Sequence, residues 1–592
     1  MRYYLLFIFL ILHSTTALAQ GESTSTEGVK EPFSPIVVAY QNEAQALTFQ
    51  KENSPYYSDI SALFRPQKTG SLKKEASLTA SFDFPPLWKD KELFITLTPQ
   101  SAAFQLLING KEVVLIEKGV PNRVNITSFL KENRNVIALK VAEPGALIPK
   151  SAGKIILTAT PKVNVVEFYT YQYRNPLPSK DTDWSIEMDL MFYADSPSLR
   201  ANTYRYTLYD ASLKHVKLDT INIKRLPKPG RNGRMGSRGT RFNGDNFLKW
   251  NSETPYLYFL TLQVTTPDSE VVQVLSTKVG FSVVSQRKNK IYLGNRPLGM
   301  PLTLNPVFYQ IPLSADSLDT PEDLKVSLVS LKEHNVNTIV LPDEATGTDI
   351  YDLCDELGLY IIQRLDLPSQ EDMSGLSAEE QLQVVNKLIT NVGAKVRTLK
   401  NHPSIIALSF NRNLTLKGPY QPLMDTLNVI ERDILFLYPS SEIDNHVPVI
   451  GSQVLNWHSL SQRQRLHLKK RYQPVDFWVD ELNMLHLANK YDFTALDNVE
   501  LSWEIRDNGI IVKEGKIGQI NIPPQKTQAV ILPFYFSEYS TAEGYTFHFS
   551  IKLKEDTDWA EKGHTIAEEE FRYDSSNKEK KLIKTFPYSK EL

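Results

Sequence analysis

The feature that most constrains this chain is a double change in its hydrophobic period. Up to about residue 295, apolar residues alternate in short runs broken by Pro, Gly and polar turns. From about residue 318 to 451, short apolar runs take turns with stretches of helical spacing, and from Tyr472 to about Phe571 the two-residue alternation returns. A two-residue period marks strands with one buried face, whereas strand and helix in alternation mark parallel βαβ units. The fold class expected is therefore multidomain β plus α/β: sandwich, sandwich, α/β domain, sandwich. At 592 residues the chain is long enough for several such cores.

Turn chemistry supports the outer segments. "AFQLLINGKEVVLI" (103–116) alternates around Asn109-Gly110, and "LSWEIRDNGIIVKEG" (501–515) around Asn508-Gly509. Asn-Gly accepts the positive φ angles that a two-residue hairpin turn demands. "NVIALKV" (135–141) continues the first strand set, and a break at "EPGALIPKSAGK" leads to a second from Ile155 to Phe281.

In the middle segment, Thr320-Pro321-Glu322-Asp323 predicts a helix start, and Leu324, Leu328 and Leu331 form one apolar stripe. "NTIVLP" (337–342), "LYIIQRL" (359–365), "SIIALSF" (404–410) and "VPVIG" (447–451) read as buried strands. Helices are expected at "TDIYDLCDEL" (348–357), near 420–438, and after a Ser377/Glu380 capping box. The last presents Leu382, Val385, Ile389, Val392, Val396 and Leu399 as its core face. Asn411, Arg412 and Asn413 follow the strand 404–410, at the carboxyl end where α/β folds place their chemistry. Asp366, just past strand 359–365, is a candidate acid with no evident partner. Asp355 and Glu356 read as cap or surface charges.

Composition bounds the function. Hydrophobic content of 41%, charged content of 23% and a net charge of −2 are those of a globular protein with no electrostatic case for nucleic acid. The basic stretch Arg225 to Arg241 could meet an acidic glycan or phosphate, but its glycines and prolines read as a solvated loop. Residues 1–19 form an expected signal peptide: Arg2, an apolar run from Tyr3 to Leu12, and Ala17-Leu18-Ala19. That run is shorter than the about 20 residues a membrane span takes. The single cysteine, Cys354, allows no intramolecular disulfide, and the ten histidines show no metal-ligand spacing. Export without disulfides points to a bacterial periplasmic or extracellular protein. Asn125-Ile126-Thr127 and Asn413-Leu414-Thr415 match the glycosylation pattern, which matters only in a eukaryote.

Four groups of residues, in one order, resemble glycoside hydrolase family 2 and its large bacterial β-galactosidases. They are "SAAFQLLINGKEV"; "WNSETPYLY" with "KVGF"; "YDLCDELGLYII" with "NHPSII"; and "KKRYQPV" with "DTDWAEKGHTIAEEEF". The resemblance implies a jelly-roll sugar-binding-like domain over 29–160 and an immunoglobulin-like sandwich over 161–286. It further implies a TIM-barrel-like α/β domain over 287–468, a second immunoglobulin-like sandwich over 469–573 and a charged tail over 574–592. From Leu318 to Gly451 there are about 130 residues, against roughly 200 or more for a closed eight-stranded barrel. The barrel is thus expected to be truncated to four or five strands, braced by the sandwiches.

The same resemblance implies that catalytic groups are missing. A retaining glycosidase needs two carboxyl groups about 5–5.5 Å apart. The family's acid/base glutamate ends a strand that reads Leu408-Ser409-Phe410-Asn411-Arg412-Asn413 here, so Asn413 occupies its position and Arg412 the place of a sugar-contacting asparagine. No segment resembles the nucleophile strand. Pro368 and Gln370 fall where the family has magnesium ligands, Val340 and Asp343 where it has an arginine and a histidine, and "AEPGALIPKS" replaces a sugar-reaching loop. No catalytic residue, metal site or cofactor is therefore assigned. Asn411, Arg412 and Asp366 are candidate ligand-facing residues, although a structural salt bridge would serve Arg412 equally well. The expectation is a non-hydrolytic module that binds a β-galactoside-like glycan or sits beside partner glycan-degrading proteins. The alternatives are an active β-galactosidase and a purely structural protein-binding module.

Overall fold

The computed structural model describes residues 30–31, 38–68, 76–97, 102–117, 122–142, 153–162, 164–174, 184–193, 202–221, 234–244, 247–282, 284–287, 290–293, 302–310, 321–343, 349–368, 370–410, 420–423, 425, 435–437, 455–540, 544–573 and 581–585. The signal-peptide segment, Asn411, Arg412, Asn413, the run 447–451 and most of the tail lie outside them.

Two five-stranded antiparallel sheets make the first sandwich. One runs Lys30–Glu31, Asn122–Asn125, Glu92–Leu97, Ile155–Thr160 and Tyr57–Asp59 in space, and the other is built around Phe104–Ile108 and Arg134–Val141. Inward residues such as Ile95, Phe104, Leu106, Ile137 and Leu157 fill the layer between them. The expected hairpin turn is present: Asn109 and Gly110 have φ of 52° and 81°. A second pair of sheets, of three and four strands, encloses Phe168, Tyr204, Tyr206, Leu260 and Leu262. A third pair, of three and five strands, encloses Phe477, Leu487, Trp503, Phe547 and Phe549 and carries the other Asn-Gly turn at φ of 49° and 86°.

Between the second and third pairs lie five parallel strands in consecutive order: β1 (Pro306–Phe308), β2 (Thr338–Leu341), β3 (Tyr360–Leu365), β4 (Ile405–Phe410) and β5 (Leu435–Leu437). Helices α1 (Pro321–Glu333), α2 (Asp349–Leu357) and α3 (Ala378–Leu399) alternate with them, and α4 (Gln462–Arg471) leads out. Among the described residues this sheet holds no further strand. Ser377 caps α3 through the expected reciprocal bonds with Glu380.

Both faces of the sheet are apolar, for two different reasons. Ile339, Leu341, Ile361 and Leu365 pack on the helices, against Leu328, Leu331, Cys354, Val385 and Val396. Val340, Tyr360, Ile362 and Ile406 point the other way, toward what a closed barrel would make its lumen. There they meet Trp250 and Leu257 of the second sandwich, with Val284 of the short hairpin that follows it and Phe493 of the C-terminal sandwich at the margin. Side chains from neighbouring domains thus cover a face that would otherwise be exposed to water or to another sheet. The seams are polar and hydrogen-bonded at two charged side chains. Glu253 accepts the backbone amides of Asp492, Phe493 and Thr494 at 2.7, 2.8 and 2.8 Å. The ammonium of buried Lys332 donates to the carbonyls of Ser252 at 2.7 Å and Gly358 at 3.0 Å.

Several expectations need correction. The helix expected through residue 438 has given way to β5 at Leu435–Leu437, paired in parallel with Ala407, Leu408 and Ser409, so sheet pairing overrides the local pattern there. The basic stretch is not all loop: Arg234–Gly244 is a strand paired with Trp184–Tyr193, with Gly236 opposite Met191 and a register shift at Gly239. Leu382, expected in the core, is 52% exposed because it lies in the first turns of α3, ahead of the buried face that begins at Val385.

Candidate functional site at the carboxyl ends of the parallel strands

Each parallel strand delivers its last residues to one edge of the sheet. β2 ends in Pro342-Asp343, β3 in Arg364-Leu365-Asp366, and β1 contributes Phe308. Lys395 reaches in from α3 and donates to an Asp343 carboxylate oxygen at 2.6 Å and to the Asp343 carbonyl. The other carboxylate oxygen of Asp343 accepts the Asp366 amide at 3.1 Å, which ties the ends of β2 and β3 together. Asp366 does have a partner, contrary to expectation: Arg364 donates to it at 2.9 Å, and the guanidinium carbon lies 5.8 Å from the centre of the Phe308 ring.

Beneath this rim, buried Gln363 accepts the Tyr351 hydroxyl at 2.7 Å and donates to the carbonyls of Pro342 at 2.8 Å and Arg364 at 2.9 Å. Burial raises the Tyr351 pKa, so it remains a neutral hydrogen-bond donor. The carbonyl of Pro368 accepts the Tyr420 hydroxyl at 2.7 Å. Proline has no side-chain donor atom for a hard cation, and its one oxygen here already holds a phenol, so this position does not fit magnesium. Gln370 opens the short helix Gln370–Ser374. Val340, at the other inherited position, is fully buried.

A second cluster sits at the opposite, amino end of the sheet. Asp355 of α2 was expected to be a cap or surface charge but is 1% exposed. It falls on the helix stripe that buries Ile350, Tyr351, Cys354 and Leu357. Its carboxylate accepts His402 Nδ1 at 2.6 Å and the Ser404 amide at 3.0 Å, and its carbonyl accepts Trp250 Nε1 at 2.8 Å. Burial disfavours the His402 imidazolium, but the Asp355 carboxylate outweighs it and raises the pKa of His402. With Asp352 the pair forms a group of three residues whose ligand atoms lie within 4.8 Å of one another. Each Asp355 oxygen already accepts one hydrogen bond, from His402 and from the Ser404 amide, which accounts for the buried charge without a metal. Polar groups at the amino end of such strands serve stability rather than chemistry. Glu356, by contrast, is the surface charge expected, paired with Lys278 at 2.5 Å.

Comparison with known proteins decides the lineage. The family model "Glycosyl hydrolases family 2" matches residues 169–281, its "TIM barrel domain" matches 319–463, and "Beta-galactosidase, domain 4" matches 485–574. The chain belongs to glycoside hydrolase family 2 and is β-galactosidase-like. A β-galactosidase of Priestia megaterium is 22% identical over 602 residues, covering 82% of this chain and 57% of that one. One of Psychromonas ingrahamii is 30% identical over 56% of this chain and 32% of its own length. The chain thus spans little more than half of the first relative and a third of the second. Among solved structures, an exo-chitosanase of Amycolatopsis orientalis superposes with a TM-score of 0.55 at 10% identity, covering 85% of this chain and 77% of that one. A β-D-mannosidase of Dictyoglomus thermophilum gives 0.54 at 12% identity, covering 84% and 82%. At those identities the likeness is one of fold alone.

Proposed function

We propose that this chain is an exported, non-hydrolytic member of glycoside hydrolase family 2. In this reading it binds a β-galactoside-like glycan or acts as a scaffold beside partner glycan-degrading proteins. The observation that supports the reading is that, among the described residues of the sheet mouth, both carboxylates are already engaged. Asp343 and Asp366 are engaged by Lys395 and Arg364, at 2.6 and 2.9 Å, and Asp343 is further occupied by the Asp366 amide. A retaining glycosidase instead needs one carboxyl group free to attack the sugar and one poised to give it a proton. Asn413, at the position of that proton donor in the family pattern, is an amide that cannot serve. Asn411 and Arg412, which follow β4 in sequence, carry amide and guanidinium groups of the kind that hydrogen-bond sugar hydroxyls.

The test is a melting-temperature and glycan-array screen of the chain lacking residues 1–19. Saturation at 100 times Kd should add about 2.7 kcal/mol of stability, a shift readily seen for a bound β-galactoside-like glycan. Absence of any shift or array signal would turn the reading toward a structural, protein-binding module. The family membership itself favours the rival reading, an active β-galactosidase, and catalytic turnover separates the two.

A further inference from the structure

We propose that the seam between the α/β domain and the C-terminal sandwich is an acid-sensitive clasp, in which protonation of His564 sets an imidazolium against the Lys469 ammonium and loosens the contact. His564 belongs to the C-terminal sandwich. Its Nε2 lies 3.2 Å from Lys469 Nζ of α4 and 3.2 Å from the carbonyl oxygen of Glu333 at the end of α1. An ammonium is donor only, so the Lys469 contact is made with His564 neutral, its proton on Nδ1 and an Nε2 lone pair toward the ammonium; a proton on Nε2 would turn to the Glu333 carbonyl instead. Adding a proton to Nε2 removes the acceptor and places two positive groups at hydrogen-bond distance.

The Glu333 carbonyl offsets part of that charge, but less than burial and the Lys469 ammonium oppose it. On α1, Lys332 stands 5.7 Å from the Trp559 ring, which is itself 5.7 Å from His564, and His334 has Nδ1 2.7 Å from the Ser330 carbonyl. On α4, Arg465 lies 4.5 Å from the Trp457 ring. The nearby carboxylates are Glu333 and Glu568, and Glu568 is already 3.4 Å from His548. Asn335 draws the same seam together, donating to the carbonyls of Lys469 at 3.0 Å and Ile566 at 2.9 Å. Burial, and then the Lys469 ammonium, push the His564 pKa down from 6.5 to about 4. The undocked histidine therefore takes up a proton that the docked one refuses, so the clasp is firm at pH 7 and weakens as pH falls from 6.5 toward 4. At pH 5 those two values favour opening by about thirtyfold. Because His564 is only half-buried, solvent screening reduces the expectation to about tenfold. The seam braces α1, which leads into β2 and hence to Asp343 at the sheet mouth.

Hydrogen exchange on the full chain, corrected for the intrinsic effect of pH, tests this. Between pH 7.5 and 5, peptides covering 333–337 and 564–568 should lose about tenfold in protection, while those of the first sandwich keep theirs. His564→Gln should abolish the loss, because it cannot titrate. Lys469→Met should also diminish it, because His564 remains but the repelling charge is gone, and this variant decides the matter if the first does not fold. An undiminished loss in either folded variant, or no loss in the wild type, would overturn the proposal.

Discussion

Asp355→Ala is the substitution whose cost can be worked most directly from the contacts. The Asp355 side chain is 2% exposed and receives two hydrogen bonds, from His402 at 2.6 Å and the Ser404 amide at 3.0 Å. Removing one member of a buried charged pair costs about 3–5 kcal/mol, much of it the penalty of groups left without partners. The Ser404 amide alone accounts for about 1–3 kcal/mol of that. His402 can shed its proton and lessen the loss, so a destabilisation of about 3 kcal/mol is expected, roughly a hundredfold in the unfolding constant. Urea unfolding of both proteins, followed by tryptophan fluorescence, measures it. The pH dependence gives a second handle. Because the folded His402 holds its proton above the ordinary value, the pair's contribution is complete below pH 6.5 and fades as pH rises through the raised value. Asp355→Ala should lack that decline. A loss below about 1 kcal/mol, the size of a surface pair, would refute the account of a buried clasp.

Other outcomes follow from the same geometry. Burial holds the Lys332 ammonium down to about pKa 8, against 10.5 unfolded. Wild-type stability should therefore rise from pH 8 to 9.5 relative to Lys332→Met, as the fold sheds a proton that the unfolded chain keeps; parallel curves would contradict this. With Pro368 bonded to Tyr420, millimolar magnesium at matched ionic strength should leave the melting temperature unchanged. Asn413→Glu would place a carboxylate at the proposed acid/base position, a group worth about 10²–10⁴-fold in rate. On the proposed non-hydrolytic reading, which assigns no second carboxylate, it should nonetheless yield no turnover; clear activity would mean that a nucleophile survives.

Much of the fold was legible because it rests on local signals. The two Asn-Gly turns, the Ser377/Glu380 box and the apolar runs at β2, β3 and β4 are encoded within a few residues each. What escaped depends on distant partners. The run Leu435–Leu437 becomes a strand only because Ala407 to Ser409 offer it an edge. Arg234–Gly244 is ordered by pairing across to Trp184–Tyr193. Asp355 reads as a surface charge until His402, 47 residues away, is seen to meet it. The one local hint was its place on the helix stripe with Ile350, Cys354 and Leu357. At the mouth, the expectation of lost metal ligands at Pro368 and Gln370 rests on resemblance, whereas the pairing of Arg364 with Asp366 and of Lys395 with Asp343 required the strand ends to be brought together. Asn411 to Asn413 lie outside the described residues.

Turnover of an aryl β-galactoside by the purified chain, measured against a blank without protein, tests the central claim most directly. If the reading holds, a chain whose Asp343 and Asp366 are held by Lys395 and Arg364, and whose acid/base position is proposed to be Asn413, should release aryl product no faster than the blank across pH 5 to 8. Product release that scales with protein concentration and is abolished by a galactose-configured inhibitor would contradict the account and return this chain to the working hydrolases of its family.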